Sequence, residues 1–101
     1  MQTLYIIYDT KTKKVLYQTY DEIMTKHKMI TYLLEKIKPV LIEINKIISD
    51  SFYILYDVKD LKIITIEKYM NEIFDYMRMN NIKKYCFKNT QLIKVDLRKE
   101  P

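Results

Sequence analysis

Residues 21–50 read DEIMTKHKMITYLLEKIKPVLIEINKIISD, and the fold turns on how this stretch is parsed. Ile23, His27, Ile30, Leu34, Ile37, Leu41, Ile44 and Ile48 are spaced 4-3-4-3-4-3-4, the interval of a coiled-coil seam held for more than three heptads. Asp21 stands where a helix N-cap belongs, and Glu22 lies in the first turn, where a carboxylate suits the helix dipole. Pro39 falls inside the seam, and a mid-helix proline clashes with the carbonyl four residues back, here Glu35, at a cost of ~3 kcal/mol. The phase survives across it. The spacing therefore predicts one kinked helix, or two nearly collinear helices with Pro39 in the first turn of the second, ending near Ser49-Asp50-Ser51.

Before this segment, residues 2–8 and 14–20 are rich in β-branched and aromatic residues around the polar stretch Asp9-Thr10-Lys11-Thr12-Lys13, the pattern of a β-hairpin. After it, residues 52–56 are continuously apolar, as expected of a central strand covered on both faces. Asp57-Val58-Lys59-Asp60 reads as a turn, residues 61–64 as a short extension, and Thr65 as the cap of a helix over 66–79, whose Ile66, Met70, Ile73 and Met77 step by 4-3-4. Asn80-Asn81 suits a left-handed C-cap. Residues 82–88 and 91–97 read as a second hairpin around Asn89-Thr90, with a polar tail over 98–101. No internal repeat stands out.

The expected order is β-β-α-β-α-β-β in a single domain over 1–101. The fold class is α/β, a two-layer sandwich in which a mixed sheet of about five strands carries its helices mainly on one face and includes a parallel, right-handed βαβ unit.

Composition narrows the chemistry. Of 101 residues, 49% are hydrophobic and 31% charged, which sets the chain apart from disordered proteins. No apolar run approaches ~18 residues, and the first eight residues lack the basic start and cleavage site of a signal peptide, so the expected location is cytoplasmic. Sixteen isoleucines, sixteen lysines and ten tyrosines are the residues that AT-rich codons favour. With no glycine, the Gly-rich phosphate loops, dinucleotide fingerprints and nucleophile elbows are effectively excluded. Cys86 and His27 are each the only residue of their kind and form no metal-spaced set. The sequence points to a protein that is not an enzyme, with no catalytic residues, no metal ligands and no cofactor.

Two readings of function remain. The first is a protein-interaction or regulatory module acting as a homodimer. A helix of about 28 residues would span ~42 Å, more than the sheet needs for its own cover, leaving Ile30, Leu34, Ile37, Leu41 and Ile44 for a dimer interface. The second is nucleic-acid binding. Residues 78–101 carry seven bases against two acids, and Arg78, Lys83, Lys84, Tyr85, Lys88, Lys94, Arg98 and Lys99 give a basic, aromatic hairpin able to follow a phosphate backbone and stack bases.

Three resemblances bear on these readings. Residues 52–88, with an apolar strand, Asp57, the link Asp60-Leu61-Lys62-Ile63-Ile64-Thr65, a helix, Asn-Asn and a strand, look like the central part of the sulfate-transporter and anti-sigma-antagonist domain. That resemblance implies an α/β module that binds partner proteins, with Thr65 standing where the family has its phosphorylated serine. The family's Asp-Ser pair is replaced by Ile64-Thr65. Asp50 with Asp60-Leu61-Lys62 loosely resembles the Asp…Asp-x-Lys set of restriction-endonuclease-type nucleases, but here the acids lie on opposite sides of a strand, and turn formation is the reading that accounts for them. The composition resembles that of small orphan proteins of viruses infecting thermophilic archaea, which implies a dimeric α/β domain.

Overall fold

The computed structural model describes residues 2–80 and 89–98. It divides into two compact units, Met1–Ile47 and Ile48–Lys99. Each unit builds its own three-stranded antiparallel sheet and carries one helix.

In the first unit, β1 (Leu4–Asp9) and β2 (Lys14–Thr19) form the expected hairpin. Asp21 caps α1 (Glu22–Leu34), accepting from the N–H groups of Ile23 at 2.9 Å and Met24 at 3.1 Å. The helix does not run on to residue 48. Lys36 adopts φ 64° and the Ile37 N–H donates to the Tyr32 carbonyl at 2.9 Å, a left-handed helix end. Pro39 then disfavours helical geometry at Lys38. The chain continues as a strand, β3 (Val40–Ile44), in which Ile42 and Ile44 are buried while Leu41 and Glu43 are exposed, a period of two. β3 pairs with β1, giving the order β2-β1-β3. The continuous seam over 23–48 is thus corrected to one helix and one strand. Ile37, Leu41 and Ile44 keep the helical spacing, but an isoleucine-rich segment can satisfy both periods.

The second unit opens with β4 (Ser51–Asp57), the expected central strand, where Phe52, Ile54, Leu55 and Tyr56 are buried. The β-branched run Lys62-Ile63-Ile64-Thr65-Ile66-Glu67 forms β5 (Lys62–Glu67) and pairs antiparallel with β4, so Thr65 lies inside a strand and its hydroxyl donates to Glu67 Oε1 at 3.0 Å. The second helix, α2 (Met70–Met79), begins four residues later than expected, its start marked by the Tyr69 N–H donating to Glu72 Oε1 at 3.1 Å. β6 (Thr90–Asp96) also runs antiparallel to β4, giving β5-β4-β6. Thr90 opens β6 rather than turning a hairpin, and the expected partner strand over 82–88 lies outside the described residues. One mixed five-stranded sheet with a parallel βαβ unit is therefore corrected to two small antiparallel sheets. The α/β class stands.

The two units repeat one plan, ββαβ, and the sequence carries a matching repeat that its hydropathy pattern alone conceals. Tyr5-Ile6, Tyr8-Asp9, Lys11 and Lys14 recur forty-eight positions on as Tyr53-Ile54, Tyr56-Asp57, Lys59 and Lys62 (5 to 53, 14 to 62). Each hairpin shifts register at the same place, between Ile7 and Tyr8 and between Leu55 and Tyr56. Each places its last loop residue in the left-handed region, Lys13 at φ 60° and Leu61 at φ 55°. Each aspartate closes its loop: Asp9 accepts from the Lys11 N–H and the Thr12 hydroxyl, both at 2.9 Å, and Asp57 from the N–H groups of Lys59 at 2.9 Å and Asp60 at 3.0 Å. Across the ladder stand Lys14 and Lys62. The offset persists into the helices, where Thr25 and Ile73 are both buried, and grows by three in the last strands, where Ile42 answers to Ile93.

A γ-branched residue at positive φ costs about 1–2 kcal/mol, while glycine there adds about 0.5–1 kcal/mol of unfolded-chain entropy. Leu61→Gly is therefore expected to raise stability by roughly 0.5–1 kcal/mol, read as an upward shift of the thermal midpoint; a fall would show that the exposed Leu61 side chain packs in a way the backbone argument neglects.

Candidate interaction face

α1 presents two opposite rows. The inner row is Thr25, Lys28, Met29 and Tyr32. Thr25 is buried with its hydroxyl donating to the Asp21 carbonyl at 2.8 Å, the Tyr32 hydroxyl reaches the Leu16 carbonyl at 3.2 Å, and the Lys28 ammonium sits 5.1 Å from the centre of the Tyr17 ring. The Tyr32 and Lys28 contacts dock the helix on its own hairpin. The outer row, Ile23, His27, Ile30 and Leu34, lies half a turn away and meets solvent. Ile23 is 70%, Ile30 58% and Leu34 79% exposed, flanked by Met24 at 41% and Leu33 at 56%.

The second unit supplies an internal comparison. The residues of α2 that answer to Ile23, His27 and Ile30 are Asn71, Asp75 and Arg78, all exposed, and Arg78 pairs with Asp75 through its guanidinium. α2 is held by Ile73 and Met77, which pack with Leu55, Tyr53 and Ile64. Its exposed apolar residues Met70, Phe74 and Met79 lie to the sides of that polar row. The position that answers to Leu34 is Ile82, outside the described residues; at the other three α2 keeps a solvated row, so the plan itself does not call for apolar residues there.

Of the residues expected at a dimer interface, Ile30 and Leu34 belong to this exposed row. Ile37 is half-buried in the connection after α1, Leu41 is exposed on β3, and Ile44 is buried in the first sheet. The five do not share one helix. The other exposed apolar residues of α1 are Ile23, Met24 and Leu33. The spacing carries a signal for Ile23, whereas Leu33 and Met24 depend on which face the sheet covers.

Of the basic set, Lys83, Lys84, Tyr85, Lys88 and Lys99 lie outside the described residues. Arg78 is paired with Asp75, and Arg98 with Asp96 at 3.0 Å, an interaction that raises the Arg98 pKa. Among the described residues of that set, Lys94 is the one cation without an ion pair. Asp57 and Asp60 meet in the β4–β5 loop, where the Asp60 and Lys59 N–H bonds hold the Asp57 carboxyl below its ordinary pKa despite some desolvation. Among the described residues no group of His, Cys, Asp and Glu is arranged to hold a metal ion, and no helix is long and apolar enough to cross a membrane.

No protein-family model, curated protein or solved structure matches the chain.

Proposed function

We propose that the protein is a non-enzymatic interaction module whose docking element is the outer row of α1. The observation that carries this reading is the contrast between equivalent helices: Ile23, His27 and Ile30 on α1 stand where α2 has Asn71, Asp75 and Arg78. The exposed parts of apolar side chains add little to their own fold, and a contiguous group of them is the usual mark of a surface that another molecule covers. The loop aspartates and lysines that the two units share are accounted for by hairpin closure.

The reading requires the row to be dispensable for folding. Ile23→Glu, Ile30→Glu and Leu34→Glu combined are expected to leave the far-ultraviolet spectrum intact and to change stability by no more than about 1–1.5 kcal/mol at low micromolar concentration, since exposed substitutions each stay within ~0.5 kcal/mol. A loss beyond about 3 kcal/mol would place the row in the protein's own core and end the proposal.

A further inference from the structure

Resting on that reading, we propose that the molecule covering the α1 row is a second copy of the same chain, its α1 running antiparallel across a two-fold axis. The row Ile23, His27, Ile30, Leu34 has the spacing 4-3-4, which reads the same from either end. Turning a second α1 end for end stacks it layer on layer: Ile23 on Leu34 of the second copy, His27 on Ile30, Ile30 on His27, and Leu34 on Ile23. A two-fold interface needs this self-complementarity, because each patch must be its own partner. The flanking positions agree. Met24 and Leu33 widen the apolar strip, and Lys26 at its margin is already engaged with Glu22 at 3.7 Å, so no unpaired charge sits in the middle of the contact.

Orientation is set by the ends. A parallel pair would put Glu22 beside Glu22 and Lys26 beside Lys26, with the two helix dipoles aligned. The antiparallel pair opposes the dipoles and carries the first turn, with Glu22, toward the segment holding Glu35, Lys36 and Lys38 of the second copy. His27 is the one polar side chain in the seam. It meets Ile30 in each central layer; a shift by one layer either brings the two histidines together and frees Leu34, or leaves Ile23 of each copy without a partner, so the register is set at some cost in affinity.

The exposed parts of Ile23, Met24, Ile30, Leu33 and Leu34 amount to roughly 450 Å² per copy at the usual area of an aliphatic side chain. About 900 Å² over the pair falls below the ~1,200 Å² of standard stable interfaces. The expected dimer is therefore weak, dissociating in the range of about 10–300 µM.

Sedimentation of the full chain over about 5–500 µM should show a reversible monomer–dimer equilibrium in this range. His27→Leu should tighten it by about tenfold, the polar ring leaving both central layers at once, and Leu34→Glu should abolish it. For orientation, Ile23→Cys and Leu34→Cys are placed separately in a Cys86→Ser chain. Mild oxidation of the mixture should give a covalent 23-to-34 dimer, while either variant alone gives little. A strict monomer up to about 500 µM overturns the second copy as occupant; the stability of the triple glutamate variant decides separately whether the row belongs to the protein's own core, which would overturn the docking reading as well. Crosslinking of each variant alone, with none in the mixture, overturns the antiparallel arrangement.

Discussion

Ile54→Ala is expected to cost about 2–5 kcal/mol of folding stability, and Ile6→Ala the same. Both side chains are fully buried at the middle of a central strand, Ile54 between Ile66 and Ile93 and Ile6 between Gln18 and Ile42. Truncation removes three carbons from a site with neighbours on both sides, so the transfer loss is joined by a cavity that the ladder cannot close. The two positions are equivalent in the repeat, which makes them a matched pair. Urea denaturation should show the midpoint falling in both variants with little change of slope, and a cost below about 1 kcal/mol in either would mean that its sheet repacks more freely than a hydrogen-bonded ladder allows.

Asp9→Ala is the second large effect, expected to cost about 1–3 kcal/mol near neutral pH. Asp9 is buried, and its carboxylate satisfies the Lys11 N–H and the Thr12 hydroxyl in the β1–β2 loop. Burial alone would push its pKa up. The hydrogen bonds from Lys11 and Thr12, with the Lys11 charge, outweigh that and hold it below the ordinary aspartate value. A carboxyl with a depressed folded-state pKa stabilises fully above its unfolded value near ~3.9 and loses that contribution as the pH falls through its folded value. The gap between wild type and Asp9→Ala in thermal midpoint should therefore be wide at neutral pH and narrow toward about pH 3 and below. A gap that does not change with pH would show that the loop needs an acceptor but not a charge.

The sequence is legible where its signals are specific to one period. The first hairpin is announced by two β-rich runs around a polar loop, the central strand at residues 52–56 by an unbroken apolar stretch, and the start of α1 by Asp21. Two segments depart from expectation for physical reasons. Residues 40–44 alternate with a period of two, yet Ile37, Leu41 and Ile44 also fall on a 4-3 series, and in a chain with so many isoleucines both templates find matches. The decisive local facts are Pro39, which constrains Lys38, and the positive φ at Lys36, which no residue type announces. Residues 62–67 divide between an extension and a helix cap on paper because Thr65 caps helices well, although its neighbours are β-branched. The ββαβ repeat is visible as Tyr-Ile-x-Tyr-Asp-x-Lys-x-x-Lys in both halves, and by analogy with residues 14–19 it makes residues 62–67 a strand. The outer row of α1 is legible at Ile23, Ile30 and Leu34, while Ile37, Leu41 and Ile44 fall away once the helix ends.

The pairing pattern within each unit also bears on how fast the chain finds its structure. β1 meets β2 across a four-residue loop and meets β3 across α1, with Leu4 to Ile44 the most distant partners; β4 does the same, with Ser51 to Asp96 the most distant. Every ladder is thus closed by chain segments shorter than half the molecule, which keeps relative contact order low for a protein so rich in strands. The two hairpins can each close in about 1–10 µs and offer their central strands as templates, leaving one helix and one further strand to dock in each case. Refolding should accordingly be a matter of milliseconds.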